Sequence, residues 1–339
     1  MNTSPGLVCS HHHLYSSLAR GMPPPPYTAK GFTEILETVW WRLDQALDLE
    51  ILHWSAKLGA LEALEQGTTA IIDHHESPTA IEGSLSVIAE ACAEVGVRVN
   101  CAYGVTDRHG PEGAKRGLAE NERYLKNGGH GMVGVHAAFT CSEETLESAA
   151  QLASELDVGV HIHVAEGKVD AGAAERLKNL TEENWLIIHG VHLEDDHELS
   201  GTIVHNPRSN MNNGVGYANP TRFKNKITLG TDGIGANMLE EFRLAYARHR
   251  ENDVTATPEI SWEWLSAGWD LFPEAIDDKV TWNYDHIDPW HLAYTTGTRP
   301  VEIEIGDEVV WKDGKSTRVD ESEVRAKSAE AARKLHQRL

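Results

Sequence analysis

Eight short apolar runs recur along the chain, beginning near residues 7, 69, 97, 131, 158, 185, 202 and 227, with helical patterns or short connections between them. Strands that alternate with helices pair in parallel and bury both faces, and eight such units over ~250 residues are the signature of a (β/α)8 TIM-type barrel, an α/β fold. An open doubly wound sheet is the competing arrangement, but no GxGxxG turn follows the first run. The runs end in chemistry: His11/His13, Asp73/His74, His136, His163/Glu166, His189, His205/Asn206 and Asp232 stand at seven of the eight C-terminal ends. A barrel gathers those ends on one face, where its active site is built. Any one such histidine reads most simply as a core residue satisfied by a backbone carbonyl. Seven strand ends of this kind read as a site.

The first run is the densest case. Leu7 and Val8 lead through Cys9 and Ser10 into His11, His12 and His13. In a strand, residues i and i+2 share a face, so His11 and His13 converge while His12 points away. Two imidazoles on a rigid strand are half of a metal site for zinc or iron. By itself the run reads equally well as a strand end with exposed histidines or as a tag remnant.

Between the runs, apolar residues at three- and four-residue spacing predict one long helical stretch from Phe32 to Gln66, ended by Gly67. Further helices are predicted at 81–95, 113–126, from the N-cap Ser142, at 170–180 and at 239–250. A polar loop is expected after Asn206. The last part of the chain differs: a Trp-rich apolar patch at 262–272, a short strand at 279–284, a hairpin at 301–311 turning at Gly306-Asp307, and a helix at 321–339. The expected division is a barrel at 1–275 followed by remnant β-sandwich strands and a C-terminal helix at 276–339.

A net charge of −22 over 339 residues argues against nucleic-acid or anionic-membrane partners. No apolar run approaches the ~20 residues of a membrane span, and the N-terminus lacks the build of a signal peptide. The 4 cysteines show no CxxC spacing, which fits reduced thiols and a cytoplasmic location.

The strand ends resemble, in order and interval, those of the amidohydrolase superfamily over nearly the whole chain. Pro5-Gly6-Leu7-Val8-Cys9-Ser10-His11-His12-His13-Leu14 is similar to its first strand, and His161-Ile162-His163-Val164-Ala165-Glu166 to its fifth. Ile187-Ile188-His189-Gly190 resembles the sixth, His205-Asn206-Pro207-Arg208-Ser209-Asn210 the seventh, and Leu229-Gly230-Thr231-Asp232-Gly233 the eighth. The branch resembled is the deaminase/chlorohydrolase-like one. Trp40-Trp41-Arg42-Leu43-Asp44 and Val309-Val310-Trp311-Lys312-Asp313-Gly314 are similar to the aminohydrolase group called SsnA.

The resemblance implies one divalent metal ion, zinc with iron as the alternative, held by His11, His13, His163 and Asp232. It further implies Glu166 as proton shuttle, His189 polarising the attacked centre or holding the hydroxide, and Asp232 accepting a proton from water. His136, His74, Arg208 and Asn210 are the candidate substrate contacts. His12 is expected behind the strand, and His205 in a structural role. The implied activity is hydrolytic deamination of an amino-substituted N-heterocycle, a small-molecule substrate, by a chain that could form a homo-oligomer. Ring opening of a cyclic amide at the same site is a second reading, and an inactive truncated metal-binding scaffold a third. Such proteins open with a β-sandwich segment, whereas only Met1–Ser4 precede Pro5 here. Strands 279–284 and 301–311 are therefore expected to have unpaired edges.

Overall fold

In the computed structural model, which describes residues 2–339, all eight apolar runs form parallel strands in sequence order. A two-residue strand, β1 (Thr3–Ser4), comes first. The barrel strands are β2 (Leu7–His12), β3 (Thr68–His75), β4 (Arg98–Tyr103), β5 (Val133–Ala137), β6 (Val160–Val164), β7 (Leu186–His189), β8 (Thr202–His205) and β9 (Ile227–Leu229). β2–β4 and β5–β9 are continuous parallel ladders, and two seams close them into a barrel. At one seam Cys101 N–H donates to His130 O (3.0 Å) and Val105 N–H to Gly134 O (3.1 Å). At the other, Thr231 and Asp232 N–H both donate to His11 O, at 2.9 and 3.1 Å. Closing the barrel is thus the event that carries Asp232 to the first strand.

The strands are β-branched and buried on both faces, as parallel strands under helices must be. Val8, Ala70, Ile72, Leu186, Ile188 and Val204 form one buried cluster with Phe272 and Ala275. Residues of the Trp-rich patch tie that cluster to the start of β2: Trp269 Nε1 donates to Gly6 O (2.8 Å) and Gly6 N–H to Ala275 O (2.9 Å). Each fully buried Ile or Leu contributes roughly 1.5–3 kcal/mol.

The stretch from Phe32 to Gln66 is divided, contrary to the single helix its periodicity suggests. Helix Phe32–Ile35 runs through a π-turn at Leu36–Trp40 into Trp41–Ala46, and the chain then extends at Leu47 and Asp48. Asp48 caps a new helix, Leu49–Leu64, accepting from Ile51 N–H (2.8 Å). Periodicity carried across the break because buried leucines recur on both sides of it, Leu36 and Leu43 before and Leu58, Leu61 and Leu64 after. The helix expected at 170–180 shortens to Ala173–Leu177, because the Asp170 carboxylate is used by the backbone N–H groups of Ala165 (2.8 Å) and Phe139 (3.0 Å). The loop expected after β8 is instead a helix, Pro207–Asn212, with proline in its first turn.

Strands β10 (Lys279–Trp282), β11 (Pro300–Ile305), β12 (Glu308–Lys312) and β13 (Lys315–Ser316) form an antiparallel sheet in the order β1-β10-β11-β12-β13. The expectation of unpaired edges on strands 279–284 and 301–311 is corrected here. Thr3 and Ser4 pair with Thr281 and Val280, and β13 pairs with β12, so β10, β11 and β12 each have two neighbours. The sheet packs on the barrel through Trp282, which lies over Gly67. Gly67 has φ +82°, and a Cβ there would stand 2.3 Å from the indole ring, so the position requires glycine twice over. The C-terminal helix Glu321–His336 buries Val324, Ala331 and Leu335, and its Ser328 hydroxyl donates to Trp54 O (3.2 Å) on helix Leu49–Leu64. Among the described residues no helix is long and apolar enough to cross a membrane.

Candidate active site

His11 stands on β2, His13 directly beyond it, His163 on β6, and Asp232 past the end of β9. One side-chain donor from each lies within 4.8 Å of the others. His13 Nε2 is 3.3 Å from His163 Nε2 and 3.0 Å from Asp232 Oδ1, which is 3.6 Å from His11 Nε2. A tetrahedral ion that holds nitrogens at ~2.1 Å separates them by ~3.4 Å, close to this spacing.

The far side of each ring shows which nitrogen faces inward. His13 Nδ1 lies 2.5 Å from His74 O, His163 Nδ1 2.6 Å from His136 O, and His11 Nδ1 2.8 Å from His161 Nε2. A carbonyl only accepts, so the protons of His13 and His163 sit on Nδ1 and the Nε2 lone pairs turn to the centre. His11 Nε2 is buried without a hydrogen-bond partner. Three imidazoles and a carboxylate so arranged are the donor set of a divalent metal ion.

Burial holds His11 well below the ordinary histidine pKa and brings His163 down to about 3, so both rings are neutral, the form that can bind a metal ion. Burial acts the same way on His13, but the hydrogen bond and charge of Asp232 outweigh it and raise His13 to about 9. That proton must leave when an ion is bound. Burial would raise Asp232, yet the hydrogen bonds of His11 and His13 pull it well below the carboxylate range.

Around this cluster lie Glu166 and His189. His189 Nε2 is 3.5 Å from Glu166 Oε2 and 3.9 Å from Asp232 Oδ2. His189 Nδ1 faces Asn210 Oδ1 at 2.8 Å, Asp232 accepts from the Ser209 hydroxyl at 2.5 Å, and Glu166 accepts from Asn213 Nδ2 at 3.2 Å. The helix Pro207–Asn212 and its cap therefore brace three site residues at once. Burial pushes the Glu166 carboxyl above its ordinary value, against the pull of His189, and Asp232 adds to the rise. Backbone strain gathers here as well: Ala165, His189 and Asp232 have φ of +50°, +74° and +54°. Non-glycine residues in the left-handed region persist only where surroundings hold them, and they concentrate at functional sites.

A pocket opens over the cluster, lined by His13, His163, Glu166, Asp232 and His136, with Phe32, Leu36, Trp40, Trp41 and Phe139 as its apolar wall. Of the four candidate substrate contacts, only His136 lies on this pocket. His74 is fully buried behind the ligands, its Nε2 3.1 Å from Val135 O. Asn210 backs His189. Arg208 turns away to Glu241 (2.7 Å), Glu240 (3.1 Å) and the carbonyl of Gly235 (3.1 Å), because two carboxylates and a carbonyl there outcompete a solvent-facing pose. His12 lies outside the ligand set, its Nδ1 2.9 Å from Thr231 Oγ1.

Sequence reasoning missed Tyr15, Asp44, Glu76, Asp170 and Asn213, all on the pocket wall. Glu76 follows directly on β3, so the strand-end rule could have found it. Asp44 and the two tryptophans arrive by the π-turn, which periodicity does not report.

A profile of the amidohydrolase family matches residues 3–266. The 5'-deoxyadenosine deaminase of Methanopyrus kandleri is 30% identical over 382 aligned residues, covering 98% of this chain and 86% of that protein. The 5-methylthioadenosine/S-adenosylhomocysteine deaminase of Desulforudis audaxviator is 28% identical, covering 99% and 87%. Among solved structures, a zinc-bound adenosine deaminase from Xanthomonas campestris superposes with a TM-score of 0.84 at 19% identity, covering 99% of this chain and 86% of that one. The zinc complex of atrazine chlorohydrolase TrzN from Arthrobacter aurescens TC1 superposes with a TM-score of 0.78 at 19% identity, covering 97% and 88%. These two structures establish a shared fold. With the profile spanning most of the chain and curated relatives aligned almost end to end, the protein belongs to the amidohydrolase family.

Proposed function

We propose that this protein is a metal-dependent aminohydrolase that deaminates an amino-substituted N-heterocycle, with adenosine-type nucleosides as the substrate class and one zinc ion as cofactor. The names of the curated relatives support the substrate class. The observation that carries the reaction type is Glu166: a buried carboxyl with a raised pKa, on the pocket wall, 3.5 Å from His189 and three residues beyond a ligand. A carboxyl held above its ordinary range at that place is suited to carrying a proton between water and substrate.

His11, His13, His163 and Asp232 would hold the ion. When bound, it supplies the Lewis acidity that brings proton loss from water close to neutral pH. The apolar wall of Trp40, Trp41 and Phe139 takes the flat face of the heterocycle and excludes bulk water. Asp232 takes a proton from the attacking water. Glu166, steadied by Asn213, moves the water's other proton to the ring nitrogen, and the proton held by Asp232 passes to the departing amine, so both protons of the water are used once. His189, braced by Asn210, stabilises the developing charge at the attacked carbon's new oxygen. In sum a C–N bond breaks, a C–O bond forms, and ammonia leaves.

Ammonia release across a panel of amino-heterocycles, with zinc-loaded protein, tests the proposal. Glu166→Gln should lower kcat by ~10²–10⁴-fold while keeping the metal. Ring-opened acids without ammonia would show a cyclic amide hydrolase instead. Bound metal with no turnover of any probe would favour an inactive scaffold.

A further inference from the structure

Charge is distributed unevenly around the pocket. No lysine or arginine lines it among the described residues, while Asp44, Glu76, Glu166, Asp170 and Asp232 all do. Three of these carboxylates belong to neither the ligand set nor the proton path, and one of them, Asp170, is taken up by the backbone N–H groups of Ala165 and Phe139. Asp44 and Glu76 meet at the aromatic end of the pocket, and both are buried. One guanidinium serves them: Arg108 pairs with Glu76 through the same Nη2 that lies 3.3 Å from Asp44 Oδ2. The Arg108 guanidinium carbon also lies over the Trp41 ring, 4.4 Å from its centroid, and His136 Nε2 lies 3.7 Å from Glu76 Oε1. The cation is held on three sides. Asp44 Oδ1 and Trp41 Nε1, by contrast, are buried with no hydrogen-bond partner. Both atoms are shut off from solvent, so this end of the pocket carries buried polar groups and no free cation among the described residues.

We propose that Glu76 is a charge filter: together with Asp44 it occupies Arg108, so the pocket admits heterocycles with a neutral, hydrogen-bonding substituent and rejects those bearing a phosphate or carboxylate. The inference rests on the aminohydrolase reading of the same site. Its physical basis is desolvation. An anionic substituent entering this end would lose its water beside a carboxyl pair that burial already pushes up, Glu76 to about 8, against the pull of Arg108, so no free positive charge is left to receive it. A neutral substituent, in contrast, brings no charge to desolvate there. Removing the Glu76 carboxyl while keeping Arg108 should leave a guanidinium with a spare edge, the group best suited to phosphate or carboxylate.

Adenosine and adenosine 5′-monophosphate, which differ only in the phosphate, are the probes. Ammonia release and calorimetric binding are measured for zinc-loaded wild type, Glu76→Gln and Arg108→Met. Wild type should prefer adenosine by about 100-fold or more in kcat/KM and in affinity, as expected for burial against like charge. Glu76→Gln should narrow that ratio by about tenfold, chiefly through a lower KM for the phosphate, an effect a general loss of packing would not produce. Arg108→Met should leave the phosphate rejected. Wild type that handles the two probes within tenfold of each other overturns the filter, as does an Arg108→Met variant that loses a phosphate affinity the wild type had. Because the wild-type ratio and the Arg108→Met result decide the matter without it, a Glu76→Gln chain that fails to fold does not shield the proposal. Adenosine bound in preference but never deaminated would overturn the aminohydrolase reading and keep the filter. Equal turnover of both probes would do the reverse, and probes neither bound nor turned over would overturn both.

Discussion

His161→Phe isolates the part of the site that aims a ligand without being one. His161 is completely buried on β6, two residues before His163, and its Nε2 lies 2.8 Å from His11 Nδ1. Its own Nδ1 has no partner. Phenylalanine keeps a flat ring in place and removes the acceptor. His11 then holds an Nδ1 proton that nothing receives, and the tautomer protonated on Nε2, which cannot bind a metal, becomes competitive. Losing the outer partner of a ligating histidine typically weakens metal affinity ~10–100-fold, or ~1.4–2.7 kcal/mol. An independent figure agrees: a buried donor left unsatisfied costs ~1–3 kcal/mol. Competition for zinc with chelators of graded affinity reads the shift directly, with His163→Phe in parallel as the loss of a true ligand. The reasoning is refuted if His161→Phe releases zinc as completely as His163→Phe does, which would make 161 the ligand. It is refuted equally if affinity does not change.

Other outcomes follow from the same geometry. Asn210→Leu should leave zinc content unchanged and cut kcat by ~10–100-fold, since it frees the His189 ring to rotate; steady-state kinetics with metal analysis check both halves. Because His12 faces Thr231 rather than the ligand cluster, His12→Ala should retain zinc where His13→Ala loses it. Arg208→Met should cost ~3–5 kcal/mol in denaturant unfolding, because it strands the buried Glu241 carboxylate, while KM of the folded protein stays put. Gly67→Ala should also destabilise the chain, by ~2 kcal/mol or more, as its methyl group meets the Trp282 ring and the positive φ together.

Much of this architecture is legible in the sequence because barrel strands are short, apolar and punctuated. Each of the eight runs became a strand near its expected start, and barrel closure brought the C-terminal ends of β2 and β6, with His11, His13 and His163, into one cluster. The choice of His163 over His161 lay in Glu166, three residues on, rather than in any property of the strand itself. What stayed hidden depended on where chain segments go after leaving the barrel. Asp44 reaches the pocket only because a π-turn resets the helical phase, and Asn213 only because the stretch after β8 coils into a helix. Arg208 was misplaced for a related reason: a long side chain settles on whatever carboxylate folding delivers, here Glu241, 33 residues away. The pairing of Thr3–Ser4 with β10 joins residues at opposite ends of the chain, a contact no local pattern announces.

The account stands on Glu166 acting as the proton carrier beside a loaded metal cluster. The most direct test measures zinc content and ammonia release from adenosine for wild type and Glu166→Gln in one preparation. The account predicts about one equivalent of zinc in both proteins and a loss of turnover of ~10²-fold or more in the variant. Ammonia released by Glu166→Gln at the wild-type rate would contradict it.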